Sequence, residues 1–143
     1  MATNTRLLHA PPDKVWDVLA DGWLYPVWVV GAARLREVDV TWPAVGSRIH
    51  HSVGAWPLMV DDTTEVMASE RPTHLKLRAR GWPAGEAEVD ITLEAHGAGT
   101  QVTIREDAVS GPGRLVPAPF RVLPIALRNI ETLKRLSFVA ERR

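Results

Sequence analysis

Residues 86–95, EAEVDITLEA, alternate polar and apolar side chains without a break, and an extended strand is the backbone that sorts such a pattern into two faces. Ala87, Val89, Ile91 and Leu93 are then set toward a core, and Glu86, Glu88, Asp90, Thr92 and Glu94 toward water. The preceding segment repeats the pattern: Leu75, Leu77 and Ala79 point inward, and His74, Lys76, Arg78 and Arg80 form a basic outer row beside the acidic one. Period-two patterning from Ala33 to Val109 predicts strands near 34–42, 47–54, 56–69, 73–81, 86–95 and 101–109, with a first strand over 3–9. The turns RGWPAGE and HGAGT separate the last three, and Gly97 and Gly99 permit positive φ in the second. A sheet of this kind has one wet face and needs a cover for the other.

The covering element is expected in the C-terminal segment 119–141, PFRVLPIALRNIETLKRLSFVAE. On a helical wheel Val122, Ala126, Ile130, Leu133 and Ser137 share an arc flanked by Leu123, Leu127 and Leu136, while Arg121, Arg128, Glu131, Arg135 and Arg142 lie opposite. Pro124 suits only the opening turns of a helix, so the regular helix is predicted over 124–140. Near the other end, APPDKVWDVLAD starts a short helix with prolines at its mouth, Asp13 in its first turn and Val15, Trp16, Val18 and Leu19 on one side, closed by Gly22. WLYPVWVVG follows as a second short helical turn ending at Gly31.

Composition narrows the function classes. At 143 residues the chain is expected to form a single domain over 1–143. Its 17 basic and 17 acidic residues cancel, which leaves no overall field for nucleic acid. The absence of cysteine removes disulfides, thiolate nucleophiles and cysteine-held zinc. No stretch approaches the ~20 apolar residues of a bilayer span, and MATNTRLLHAPP has no apolar leader region, so a cytoplasmic location is expected. Arginine well above lysine, with abundant Ala, Val, Pro and Gly, fits a GC-rich bacterial genome.

The order of strand, two short helices, antiparallel meander and long final helix is an α+β layout. In that order, HAPPDKVWDVLAD, WLYPVWVVGAARLREVD, WPAVGSRIHHSVGAWPL, REDAVSGP and LRNIETLKRL together resemble the START-like helix-grip (SRPBCC) superfamily, and within it the bacterial polyketide cyclase/dehydrase-like group. The resemblance spans essentially the whole chain and rests on soft motifs. It implies a curved antiparallel sheet of about seven strands wrapped around the C-terminal helix, with an elongated apolar cavity between them. It further implies a lipid-like or polyketide-like ligand in that cavity, with catalysis in a minority of members and no shared catalytic motif.

Strand parity places His51 inward from RIHHSV and Glu106 inward from TQVTIREDAV. His51 is either a polar anchor or acid-base group in an apolar pocket, or a core histidine satisfied by a neighbour. A buried carboxylate requires a partner, so Glu106 is expected to meet His51, Asn129, an arginine, a backbone donor or water. A meeting of His51 and Glu106 would make the one plausible acid-base pair for a cyclase or dehydratase. Asn129 borders the apolar arc of the helix, whereas Arg128 is assigned to the wet side with Glu131 or Glu94. Of the six tryptophans Trp16 reads as core, and Trp28 and Trp56 as pocket residues near the entry; Met59, Leu77, Ala126 and Ile130 complete the expected lining. No cofactor is expected. No metal is expected either: neighbouring imidazoles at His50 and His51 diverge on a strand, and DDTTE at 61–65 lacks the spacing of a calcium loop. Three functions stay open: a binder of a small hydrophobic molecule, an enzyme acting on one, and an interaction domain whose core is filled. A homo-oligomer is compatible with each.

Overall fold

The computed structural model describes residues 1–29, 34–53, 60–81 and 85–142. Its order is β1 (Ala2–Leu8), α1 (Pro12–Ala20), a single 3-10 turn (Gly22–Leu24), α2 (Tyr25–Trp28), β2 (Arg34–Val38), β3 (Arg48–Val53), β4 (Val60–Glu70), β5 (His74–Gly81), β6 (Gly85–His96), β7 (Gly99–Ser110), a second 3-10 turn (Pro112–Leu115) and α3 (Ala118–Glu141). The strands form one antiparallel, curved sheet in the order β1-β7-β6-β5-β4-β3-β2. Six strands follow one another as a meander, and β1 crosses over to pair with the last of them, Ala2 opposite Glu106 through Leu8 opposite Thr100. This is the expected α+β helix-grip architecture.

Local chemistry explains the joints. Gly97, at φ +60°, turns β6 into β7 in a two-residue loop. Gly99 lets β7 close on the first strand, because a Cβ there would sit 2.4 Å from the Leu8 carbonyl oxygen. The buried Thr100 hydroxyl donates to the Ala10 carbonyl at 2.7 Å and so ties the start of β7 to the chain entering α1. Pro11 and Pro12 open that helix, and Val15, Trp16, Val18 and Leu19 bury one side of it. Across the outer face, Arg78 pairs with Glu88 at 3.0 Å, Lys76 with Glu88 at 3.6 Å, Arg80 with Glu86 at 3.6 Å and His74 with Asp90 at 2.7 Å, the basic and acidic rows predicted from alternation.

Three expectations are corrected. First, β2 ends at Val38 and not near residue 42. The following turn is pinned by the Trp42 indole, which donates to the Leu19 carbonyl at 3.1 Å, so Trp42 is buried by a turn and not by a strand. Second, α3 begins at Ala118, with Pro119 in its first turn and Pro124 carried inside the helix, where one backbone hydrogen bond is missing.

Third, α3 does not seat its most apolar arc on the sheet. Its buried residues are Asn129, Thr132, Leu133, Leu136, Ser137 and Ala140. Leu123, Leu127 and Ile130 are 60%, 59% and 55% exposed. The reason lies in where the helix rests: it approaches β1, α2 and β7 most closely, with the Asn4 amide donating to the Ala126 carbonyl at 3.1 Å. The clasp on the core is therefore made by the second half of α3.

Leu136→Ala should accordingly destabilise the fold by about 2–5 kcal/mol, the cost of a cavity at a fully buried leucine. Leu123→Ala should change it by less than about 0.5 kcal/mol, as for an exposed position. Urea denaturation of both variants measures the contrast, and equal losses would return Leu123 to the core.

Candidate functional site

Successive residues of a strand face opposite sides, so β7 turns Glu106 inward and Asp107 outward. β1 begins opposite Glu106, and α3 meets both carboxylates there. Arg121 holds Asp107 through Nε at 2.7 Å and Nη2 at 3.2 Å. One further stretch along the helix, Arg128 donates through Nη2 to Glu106 Oε2, and Asn129 donates through Nδ2 to Glu106 Oε1 at 3.1 Å. Both oxygens of a carboxylate buried to 6% exposure are thus engaged. The Arg121 guanidinium beside Asp107 holds its carboxyl below the usual range.

These groups form one end of a cavity of about 80 Å³ between the sheet and α3. Leu77, Ala79, Val89, Ile91 and Ile104 make an apolar floor, and Tyr25 and Trp28 of α2 close one side with Thr132 of α3 nearby. The Tyr25 and Trp28 rings meet edge to face, with centroids 5.4 Å apart at 70°. Burial pushes the Tyr25 hydroxyl up to about 12; a hydrogen bond with Thr64 opposes this, the Glu106 charge adds to it and the Arg128 charge offsets part. The phenol therefore stays protonated across the neutral range.

Thr64 on β4 connects this wall to His51 on β3, whose Nε2 lies 3.1 Å from the threonine hydroxyl. Burial lowers the His51 pKa from its ordinary 6.5; the Asp62 carboxylate opposes the shift, and the Arg36 and His50 charges reinforce it. His51 is therefore a neutral imidazole at pH 7. Its Nδ1 has no hydrogen-bond partner among the described residues, and neither has the buried Trp28 Nε1.

Of the residues singled out from sequence, Trp28, Leu77, Glu106 and Asn129 line the cavity together. His51 is buried but does not pair with Glu106, since its bond goes to Thr64 while Glu106 is taken by α3. The inferred pair is replaced by Glu106–Arg128–Asn129 on one side and His51–Thr64–Tyr25 on the other. Arg128 is corrected from the wet side to the cavity rim. Ile130 points outward instead of lining the cavity, and Ala126 contributes its carbonyl to Asn4. Trp56 and Met59 lie outside the described residues. Tyr25, Thr64 and Thr132 were missed, although a chain's sole tyrosine beside an apolar run needs a polar partner if buried. Among the described residues no group of three His, Asp or Glu is placed to hold a metal ion, and no helix is long and apolar enough to cross a membrane.

The family described as polyketide cyclase / dehydrase and lipid transport matches residues 2–137, and the chain belongs to that family. Its fold is shared with solved structures of low sequence identity. Protein MLL2253 from Mesorhizobium loti superposes with a TM-score of 0.72 at 20% identity, covering 99% of this chain and 96% of that one. DynU16, from the dynemicin biosynthetic locus, gives 0.69 at 20% identity over 98% of this chain and 46% of its own. Ara h 8.0201 gives 0.70 at 12% identity over 99% and 97%. No curated protein matches in sequence.

The neutral His51 has a consequence for acid stability. An unfolded chain takes up a proton at this histidine near pH 6.5, whereas the folded one resists until a lower pH. The unfolded state then binds more protons, so this group removes stability as pH falls from 6.5 through its folded value and contributes nothing above. Denaturation midpoints between pH 7.5 and 5.5 should decline less steeply in His51→Gln than in the wild type; identical slopes would mean that the folded imidazole accepts its proton normally.

Proposed function

We propose that the protein binds a small hydrophobic or aromatic molecule, lipid-like or polyketide-like, between its sheet and α3. The observation that carries this reading is a hydrogen-bonded polar cluster, Glu106–Arg128–Asn129, placed at the end of an otherwise apolar cavity. A core evolved only for packing gains little from burying a carboxylate and drawing a half-exposed arginine onto it, because desolvation of the carboxylate offsets much of the attraction. A binding pocket uses such groups to orient a ligand whose body rests on apolar walls. Membership of a family described by cyclase, dehydrase and lipid-transport members supports the same class of ligand.

Binding is favoured over proton-transfer chemistry because both Glu106 oxygens are occupied and His51 is engaged elsewhere. The volume of about 80 Å³ suits a ring or the head of a ligand; drug-sized pockets reach about 300–1,000 Å³.

Native mass spectrometry of freshly purified protein, with solvent extraction, should reveal a co-purifying apolar molecule. The environment-sensitive dye N-phenyl-1-naphthylamine should bind as well. Ala79→Leu fills the floor, and it should weaken the dye by about tenfold or more while the fold is retained. No bound species and no dye binding would identify a filled core and end the proposal.

A further inference from the structure

We propose that two copies of this chain associate through the outward side of α3, with the two helices antiparallel. Phe120, Leu123, Leu127 and Ile130 recur at intervals of three, four and three residues, the spacing of a heptad seam. They lie on the side away from the stripe that α3 buries, and Phe120 is 75% exposed, more than any of the other three. A helix that only covers a sheet needs one apolar stripe. α3 carries a second, and a narrow stripe of this kind is the one that a partner helix takes up.

Area, charge and symmetry select the occupant. Leu115 is 84% exposed, and its turn is fastened to the start of α3 by Arg121, whose Nη1 donates to the Val116 carbonyl at 2.9 Å. With the four seam residues it offers roughly 500 Å² of apolar surface, at about 150 Å² for each large side chain when fully exposed. Two such faces together bury about 1,000 Å², where specific interfaces begin, so the dimer is reversible and not obligate. The arginines beside the seam are neutralised within their own chain, Arg121 by Asp107, Arg128 by Glu106 and Arg135 by Glu131 at 3.2 Å. That leaves little basic charge to hold anionic lipid headgroups and favours an apolar protein surface. A second copy brings the same seam, as a two-fold interface requires. Lys134, exposed, is the next residue along the seam after Ile130. In a parallel pair it would oppose its own copy, like charge on like. Antiparallel pairing sets Phe120 against Ile130 and Leu123 against Leu127, carries Lys134 past the apolar stretch and opposes the two helix dipoles.

Sedimentation velocity of the full chain between about 5 and about 500 μM should show a concentration-dependent passage from monomer to dimer. Leu127→Glu puts a carboxylate at the centre of the seam in both copies and should weaken the dimer by about tenfold or more. The position is exposed, and an unchanged urea midpoint in dilute solution checks that the fold is kept. Because the chain has no cysteine, orientation can be read by cross-linking. Phe120→Cys mixed with Ile130→Cys under mild oxidation should give the mixed disulfide, and either variant alone should give little. A monomer throughout the range overturns the proposal, as does a dimer that Leu127→Glu leaves intact, and efficient self-linking of Phe120→Cys overturns the antiparallel arrangement. If the chain stays monomeric yet sediments with phosphatidylcholine–phosphatidylglycerol vesicles, and Leu127→Glu abolishes this, the face meets a membrane surface and the proposal falls.

Discussion

A carboxylate on the inner face of a sheet is costly to bury without a cation and further donors at hand, and Glu106 imposes that condition on the whole molecule. The strand cannot turn Glu106 outward without turning Val102 and Ile104 outward with it, since all three share one parity. The final helix must therefore deliver its cation and amide to that point, which fixes its axial position to within less than a turn. Arg121 on Asp107 repeats the constraint on the other side of the strand, so β7 is gripped from both faces.

The rest of the arrangement follows from that anchorage. A helix pinned over β7 and leaning on β1 and α2 stands away from β5 and β6, and the space left beneath it is not fully packed. Leu77, Ile91 and Ile104 form the base of that space, while Tyr25 and Trp28 reach in from the short helix that follows α1. The polar end of the cavity is thus made by the same contacts that position the helix, and binding and folding share residues.

Strand faces were legible because alternation is a geometric property of the backbone: Leu75, Leu77, Ile91, Leu93, His51 and Glu106 lie inward as the pattern requires. The helix was less so. A wheel ranks arcs by apolarity and assumes that the most apolar one meets the core, whereas the buried stripe of α3 runs through Asn129, Thr132, Leu133, Leu136, Ser137 and Ala140 at regular helical spacing. Two polar residues on that stripe are the cavity's own, and they lowered its score. Arg128 was misplaced for the same reason, because a position beside the stripe reads as solvent until the buried carboxylate opposite it is known. The His51–Glu106 pairing failed at a different level: parity gives direction, but partnership depends on the separation of strands, and β3 lies at the far side of the sheet from β7.

Among the described residues the sheet does not close on itself, and its outermost strands are β1 and β2. An open edge with unpaired backbone groups is a template on which a foreign strand can grow. β2 has only five residues, a register break between Leu35 and Glu37, and exposed charges at Arg36 and Glu37. β1 is longer, but α3 lies against it and Asn4 spends its amide on the helix. One border is blunted by irregularity and charge, the other by a helix, and the chain can keep an internal cavity without becoming prone to fibre-like association.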